Sequence, residues 1–209
     1  MAREYDFHVH SIYSKDCLTP IKQIIKKAKK QKLDGIAITD HNTIKGALKA
    51  KEIAKNLEII IGEEVKTEIG DIIGLFLKKE IKSRNSQEVI KEIKDQGGLV
   101  LLPHPFKSKK PKIKHIINKI DLIEGLNVRI TKERNKKAQK LAKKYKIPMI
   151  ACSDAHTPFT IGRARTILKE KNTKKELLKG NSKIKGKEAP FLFTHGLSFA
   201  SELIKKIIK

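Results

Sequence analysis

Short clusters of β-branched and other apolar residues alternate along the chain with lysine-rich stretches whose apolar positions recur at helical spacing. That alternation predicts repeated strand–helix units around a largely parallel sheet. Strands are expected at Tyr5–Val9, Ile36–Thr39, Glu58–Gly62, Ile72–Leu77, Leu99–Leu102, Leu122–Leu126 and Met149–Cys152. Helices are expected at Pro20–Gln31, Ile44–Lys55, Ser86–Gln96, Ile113–Ile120 and Lys132–Lys144. The first opens on Thr19-Pro20 and places Ile21, Ile24, Ile25 and Ala28 on one face; the third takes Ser86 as its cap and stops at Gly97-Gly98. Seven strands with interleaved helices exceed a simple sandwich and point to a barrel-like α/β fold. Past Ile167 the pattern weakens into a lysine-rich, turn-rich stretch, Lys169–Glu188, before an amphipathic helix near Ser198–Ile208. With no long linker, the expected organisation is a barrel over residues 1–168, with a basic segment, 169–209, packed on the same domain.

Composition supports a globular chain: 209 residues, 39% of them apolar, suffice for a substantial core. The charge is less ordinary. Lys+Arg 47 against Asp+Glu 23 gives +24, almost all of it lysine. Either the chain meets an acidic partner or its lysine content reflects compositional bias of the kind seen in high-temperature proteins. Cys17 and Cys152 are far apart with no CxxC spacing, so neither a disulfide framework nor a cysteine zinc site is indicated. No apolar stretch has the length of a secretory signal or a membrane span, and the expectation is a cytoplasmic protein without a membrane partner. Neither GxxxxGK[ST] nor GxGxxG occurs, which removes support for nucleoside-triphosphate and dinucleotide sites.

Chemistry concentrates at the expected strand ends. His8 and His10 with Asp16 follow the first strand, Asp40-His41 the second, Glu63-Glu64 the third, His104 the fifth, and Asp154 with His156 the seventh. In parallel α/β folds these carboxyl ends converge on one rim, so groups distant in sequence meet there. His-x-His puts two imidazoles on one side of a strand, able to grip one ion. Mixed imidazole and carboxylate donors suit zinc, iron or manganese better than calcium or magnesium. There are more candidate ligands than one ion needs, so two or three bridged ions, and with them phosphate-ester hydrolysis, are the economical reading. Cys17 and Cys152 offer only a weak nucleophile alternative.

The ordered series H8-V-H10-S-x-Y-S-x-D16, T39-D40-H41-N-T, G62-E-E64, L102-P-H104-P and C152-S-D154-A-H156 resembles the polymerase and histidinol phosphatase (PHP) superfamily of metal-dependent phosphoesterases. The resemblance runs from His8 to about Gly162 and implies a distorted (β/α)7 TIM-like barrel holding up to three ions of zinc, manganese or iron. It further implies that His8, His10, Glu64 and Asp154 hold a first metal. Glu64 would bridge to a second held with His104, and Asp16, His41 and His156 would hold a third. Glu63 would be solvated or supporting, and Asp40 would orient His41. The chain departs from the family where many members have a further ligating histidine: here G70-D71-I-I-G74-L-F76 places Asp71, which can still ligate.

For substrate, Asn127 and Arg129 resemble the family's N-x-R near the site, and Arg163 lies just past the last metal motif. Glu64, Asp154, Arg129 and Arg163 are the expected catalytic groups, with Asn127, Arg129 and Arg163 binding substrate. Lys107–Lys119 holds six lysines and no acid, a solvated loop or an electrostatic track for a polyanion; Phe106 alone accompanies it, so base stacking there is thin. His115 and His195 are expected to be structural. The leading expectation is a phosphoesterase for nucleotides or short RNA, of the 3',5'-bisphosphate phosphatase or 5'-to-3' exoribonuclease type. Its alternatives are a histidinol-phosphate phosphatase and, in another class, a nucleic-acid-binding accessory module with a structural metal site.

Overall fold

The computed structural model describes residues 2–107, 113–170, 172–189 and 201–205. Among the described residues nine strands form one sheet. In chain order they are β1 (Arg3–Val9), β2 (Gly35–Ile38), β3 (Glu58–Thr67), β4 (Gly70–Leu75), β5 (Leu99–Leu102), β6 (Leu122–Asn127), β7 (Met149–Cys152), β8 (Ala164–Leu168) and β9 (Lys183–Gly186). The helices are α1 (Ile21–Lys30), α2 (Lys45–Ile53), α3 (Ser86–Asp95), α4 (Lys132–Tyr145) and α5 (Thr173–Lys179). Spatial order across the sheet is β7-β6-β5-β4-β3-β2-β1-β8-β9.

The sheet curls into a nearly closed barrel. At the seam the Thr166 hydroxyl of β8 accepts from the Ala151 amide of β7 at 2.9 Å and donates to its carbonyl at 3.0 Å. Beyond β7 the chain pairs with the end of β1 through His10 N–Ala155 O, 2.9 Å, and Ala155 N–His8 O, 3.2 Å. Tyr5, Phe7, Ile60, Ile73, Leu75, Leu101, Leu122, Ile150 and Cys152 fill the interior. The apolar faces of α1 and α2 cover Ile36 and Ile38 outside, and α3 covers Ile72 and Val100. Each such buried side chain contributes about 1.5–3 kcal/mol.

Four differences from the sequence reading have physical causes. Strand β4 is antiparallel to both β3 and β5, because β3 runs on to Thr67 and turns directly at Gly70, φ 124°, with no helix between them. Asn85 rather than Ser86 caps α3, its side chain accepting from the Gln87 and Glu88 amides; Ser86 is the buried first helical residue. The expected helix at Ile113–Ile120 is a run of three-residue turns ending in a short 3-10 segment, Ile117–Lys119. Four isoleucines in eight positions disfavour an α-helix, and the turns still bury Ile113, Ile116, Ile117 and Ile120. Lys169–Glu188, where the sequence pattern weakens and assigned no element, contains α5, capped by Asn172 and ended by left-handed Gly180, and β9. Residues 201–205 are helical; the rest of the expected terminal helix and His195 lie outside the described residues. Among the described residues no helix is long and apolar enough to cross a membrane.

Two bulges aim the site. Between β1 and β2 the register advances by three residues on one strand and two on the other, from Asp6–Ile36 to Val9–Ile38. The extra residue lets Phe7 fill the barrel while both His8 and His10 face its mouth, with Val9 outside. A second bulge lies between Glu124 and Leu126 of β6, opposite Ile150 and Ala151, and brings Glu124 and Asn127 to the interior.

Candidate metal centre

At the rim, His8 Nε2 and His10 Nε2 face each other at 2.9 Å. Glu64 Oε2 lies 3.3 Å from the first and 3.2 Å from the second, and Asp154 Oδ1 3.6 and 3.5 Å. His8, His10 and Glu64 thus form one convergent group, and His8 also converges with Asp154 and His104. The other oxygen of Glu64, Oε1, is 3.1 Å from His104 Nε2, and Glu64, Asp71 and His104 form a second convergent group. A third contains His10, Asp16, His41 and His156, with Asp16 Oδ2 at 3.4 Å from His41 Nε2 and 2.9 Å from His156 Nε2. Glu64 thus stands between two groups. The structure brings all nine expected ligands together, Asp71 among them.

The donor chemistry calls for a cation. His156 Nδ1 donates to the Asp154 carbonyl at 3.0 Å, so Nε2 carries a lone pair, and it faces the carboxylate of Asp16. Burial, with the positive charge of His10 and Arg129, holds the His156 pKa down to about 4, which leaves the ring neutral. Two acceptors at hydrogen-bond distance, with no proton between them, are stabilised by a positive ion. His8 is set differently: Nδ1 bonds Glu124 Oε1 at 2.7 Å and Nε2 is turned toward His10 and Glu64, and although burial opposes its charge, Asp154, Glu124 and Glu64 raise its pKa well above the usual value.

The surroundings fix these rings. Glu124, which sequence reasoning did not select, also accepts from the His104 amide and from Asn127 Nδ2, each at 2.8 Å. His104 and Asp154 both adopt positive φ, 28° and 51°, conformations that persist only where surrounding bonds impose them. Ser14 Oγ lies 3.2 Å from His10 Nδ1 and donates to Asp16 Oδ1 at 2.9 Å. Asp40 does not orient His41: its oxygens accept from the Ser11 amide and hydroxyl at 2.6 Å, bracing the chain just after His10. Gly46 permits this, since a Cβ there would sit 2.0 Å from Asp40 Oδ2. Glu63 is not solvated but fully buried, accepting from the Ile81 amide at 2.9 Å, and its pKa is pushed up to about 7 chiefly by burial. Burial opposes ionisation of Glu64 and Asp154, yet the surrounding histidines hold both well below the usual carboxylate range. Burial likewise opposes protonation of His10, but Asp154 and Glu64 outweigh it and raise its pKa to about 9.

Two cations border the mouth. Arg129 Nε is 3.7 Å from Asp154 Oδ2, its amide held by Asn127 Oδ1 at 2.8 Å. Lys107 Nζ is 3.7 Å from Asp71 Oδ2, beside a cavity of about 200 Å³ lined by Asp71 and His104. Asn127 is fully buried, its amide spent on Glu124 and, at 3.3 Å, on Asp154, so it positions these groups from below. Arg163 is not brought to the cluster: it is exposed in a separate cleft with Gln31, Arg165 and Lys187. Of the lysine tract, residues 108–112 lie outside the described residues, and His115 sits 3.5 Å from the Ser86 hydroxyl, away from the metal groups. Glu124 carried one signal in the sequence, as a lone acid in an apolar strand.

A sequence profile of the PHP domain matches residues 6–209. An uncharacterized protein of Methanocaldococcus jannaschii is 34% identical over 181 residues, covering 81% of this chain and 72% of its own. A 5'-3' exoribonuclease of Haemophilus influenzae is 36% identical over 69 residues, 32% of this chain and 25% of its own. Among solved structures, a two-domain Bacteroides vulgatus protein described as containing a predicted PHP-like metal-dependent phosphoesterase superposes with a TM-score of 0.78 at 18% identity, covering 96% of this chain and 70% of that one.

Proposed function

The chain belongs to the PHP domain family, and from that premise we propose that it is a metal-dependent phosphoesterase acting on phosphate esters of nucleotides or short RNA. The observation that carries the reading is Glu64, whose two oxygens divide between the His8–His10 pair and the His104–Asp71 group. His8, His10, Glu64 and Asp154 would hold one ion, Glu64, His104 and Asp71 a second, and Asp16, His41 and His156 a third. Divalent zinc, manganese or iron held there would supply Lewis-acid polarisation of the phosphoryl group and activation of water.

The rest falls to the chain's own groups. Arg129, beside Asp154, and Lys107, beside Asp71, neutralise charge on the phosphoryl oxygens. Desolvation works against the Lys107 charge, but Asp154, Glu64 and Asp71 outweigh it and raise its pKa, keeping the ammonium charged. Glu124 and Asn127 hold the ligands in place from within the barrel. A nucleic-acid substrate fits the net charge of +24, and the exoribonuclease-named relative adds support over its matched third of the chain.

The test is hydrolysis by metal-reconstituted protein across adenosine 3',5'-bisphosphate, short 5'-phosphorylated RNA, histidinol phosphate and glycerol phosphate. A kcat/KM for the nucleotide or RNA at least tenfold above the other two supports the reading. Preference for histidinol phosphate, or no hydrolysis with two or more ions bound, overturns it.

A further inference from the structure

The loop from β1 to α1 is fixed by its backbone and its serines. Ile12 N bonds Thr19 O and Ser14 N bonds Ser11 O, each at 2.9 Å, while Ser11 is held by Asp40 and Ser14 by Asp16. These bonds leave the side chains of Ile12 and Tyr13 turned outward at the tip, each 44% exposed. Two large apolar groups side by side on this fixed loop, with a polar cluster next to them, form an apolar patch with a polar rim, the surface character of a ligand-binding groove. With Leu18, Lys15, His41 and Lys205 they line a hollow of about 550 Å³, within the range of about 300–1,000 Å³ typical of small-ligand sites. His41 belongs both to this wall and to the third metal group, so the hollow borders the cluster.

We propose that this hollow is the subsite for the base of a nucleotide whose phosphate lies on the metal cluster, with Tyr13 as the stacking face and Ile12 and Leu18 as apolar walls. The proposal rests on the phosphoesterase reading and deepens it by naming what distinguishes a nucleotide from other phosphate esters. Every base has a π-face, so a tyrosine platform is tolerant of base identity. Asn42, also on the wall, offers an amide donor and acceptor suited to a base edge. Lys15 adds positive charge at the rim of the hollow, where further phosphates of a longer substrate would run, while Lys205 Nζ donates to the Ile12 and Ser14 carbonyls and braces the loop.

The experiment compares metal-loaded wild type with Tyr13→Ala and Tyr13→Phe. For adenosine 3',5'-bisphosphate, Tyr13→Ala is expected to raise KM by roughly 10- to 100-fold with kcat changed less than twofold, and Tyr13→Phe to stay near wild type. Glycerol phosphate, which has no base, is expected to be handled alike by all three. Equal effects on both esters, or no effect on either, overturn the subsite. Calorimetric titration with adenosine 5'-monophosphate separates the two readings. If wild type hydrolyses no ester, the phosphoesterase reading fails on its own. Weaker binding to Tyr13→Ala then still supports the base subsite, and unchanged binding overturns it.

Discussion

Glu124 Oε1 accepts a hydrogen bond from His8 Nδ1 at 2.7 Å, and its other oxygen holds the His104 amide at 2.8 Å. One buried carboxylate therefore sets the ring of a ligand in the first metal group and the backbone of a ligand in the second. His8 in turn helps to hold the Glu124 pKa below the usual range, although burial opposes this, so the acceptor stays ionised.

Replacing Glu124 by Gln keeps the volume and removes the charge. Metal affinity is expected to fall about 10- to 100-fold, the range typical for loss of a partner that orients a ligating histidine. Competition against a chromophoric chelator measures it, and an affinity equal to wild type would show that Glu124 does not orient the ligand.

Glu64 and Glu63 are adjacent and face opposite ways. Glu64→Gln is expected to lower the number of bound ions and reduce hydrolysis by about 100-fold or more, since both groups lose a charged donor. Glu63→Gln is expected to keep full metal content and activity. Elemental analysis with steady-state assays decides, and comparable losses in the two variants would contradict the assignment.

Glu63 makes a separate prediction about stability. Its folded pKa, about 7, lies above the ordinary 4.5, so the folded state prefers the protonated form. That preference stabilises fully below pH 4.5 and is lost as pH rises through 7. Relative to Glu63→Gln, the wild type is expected to lose about 1–3 kcal/mol between pH 5 and 8. Denaturant unfolding of both proteins across that range checks it; parallel pH profiles would refute it.

Arg129 and Arg163 are expected to separate cleanly. Arg129→Ala removes a charged contact to the phosphoryl group and should lower kcat/KM roughly 10- to 100-fold. Lys107→Ala should act in the same direction, whereas Arg163→Ala, in a cleft apart from the cluster, should leave kcat/KM unchanged. Equal losses at Arg129 and Arg163 would mean that the phosphate approaches from another side.

The strand ends and their ligands were legible in the chain because apolar clustering locates strands, and in this class of fold parallel strands deliver their carboxyl ends to one rim. His8, His10, His104, Asp154 and the pair Glu63-Glu64 could be named without coordinates for that reason, and the family's G-x-E pattern then singled out Glu64. What alternation of side chains could not reveal was parity. A period-two reading sets Phe7 and His8 on opposite faces and separates Glu124 from Asn127. The two bulges, one in β1 and one in β6, reset that alternation and turn all four inward. A bulge is decided by pairing with the neighbouring strand, a non-local fact that no local window contains. The same limit explains Arg163: its position after the last motif carried no information about which end of the barrel β8 would present, and only closure of the sheet between β7 and β1 decided it.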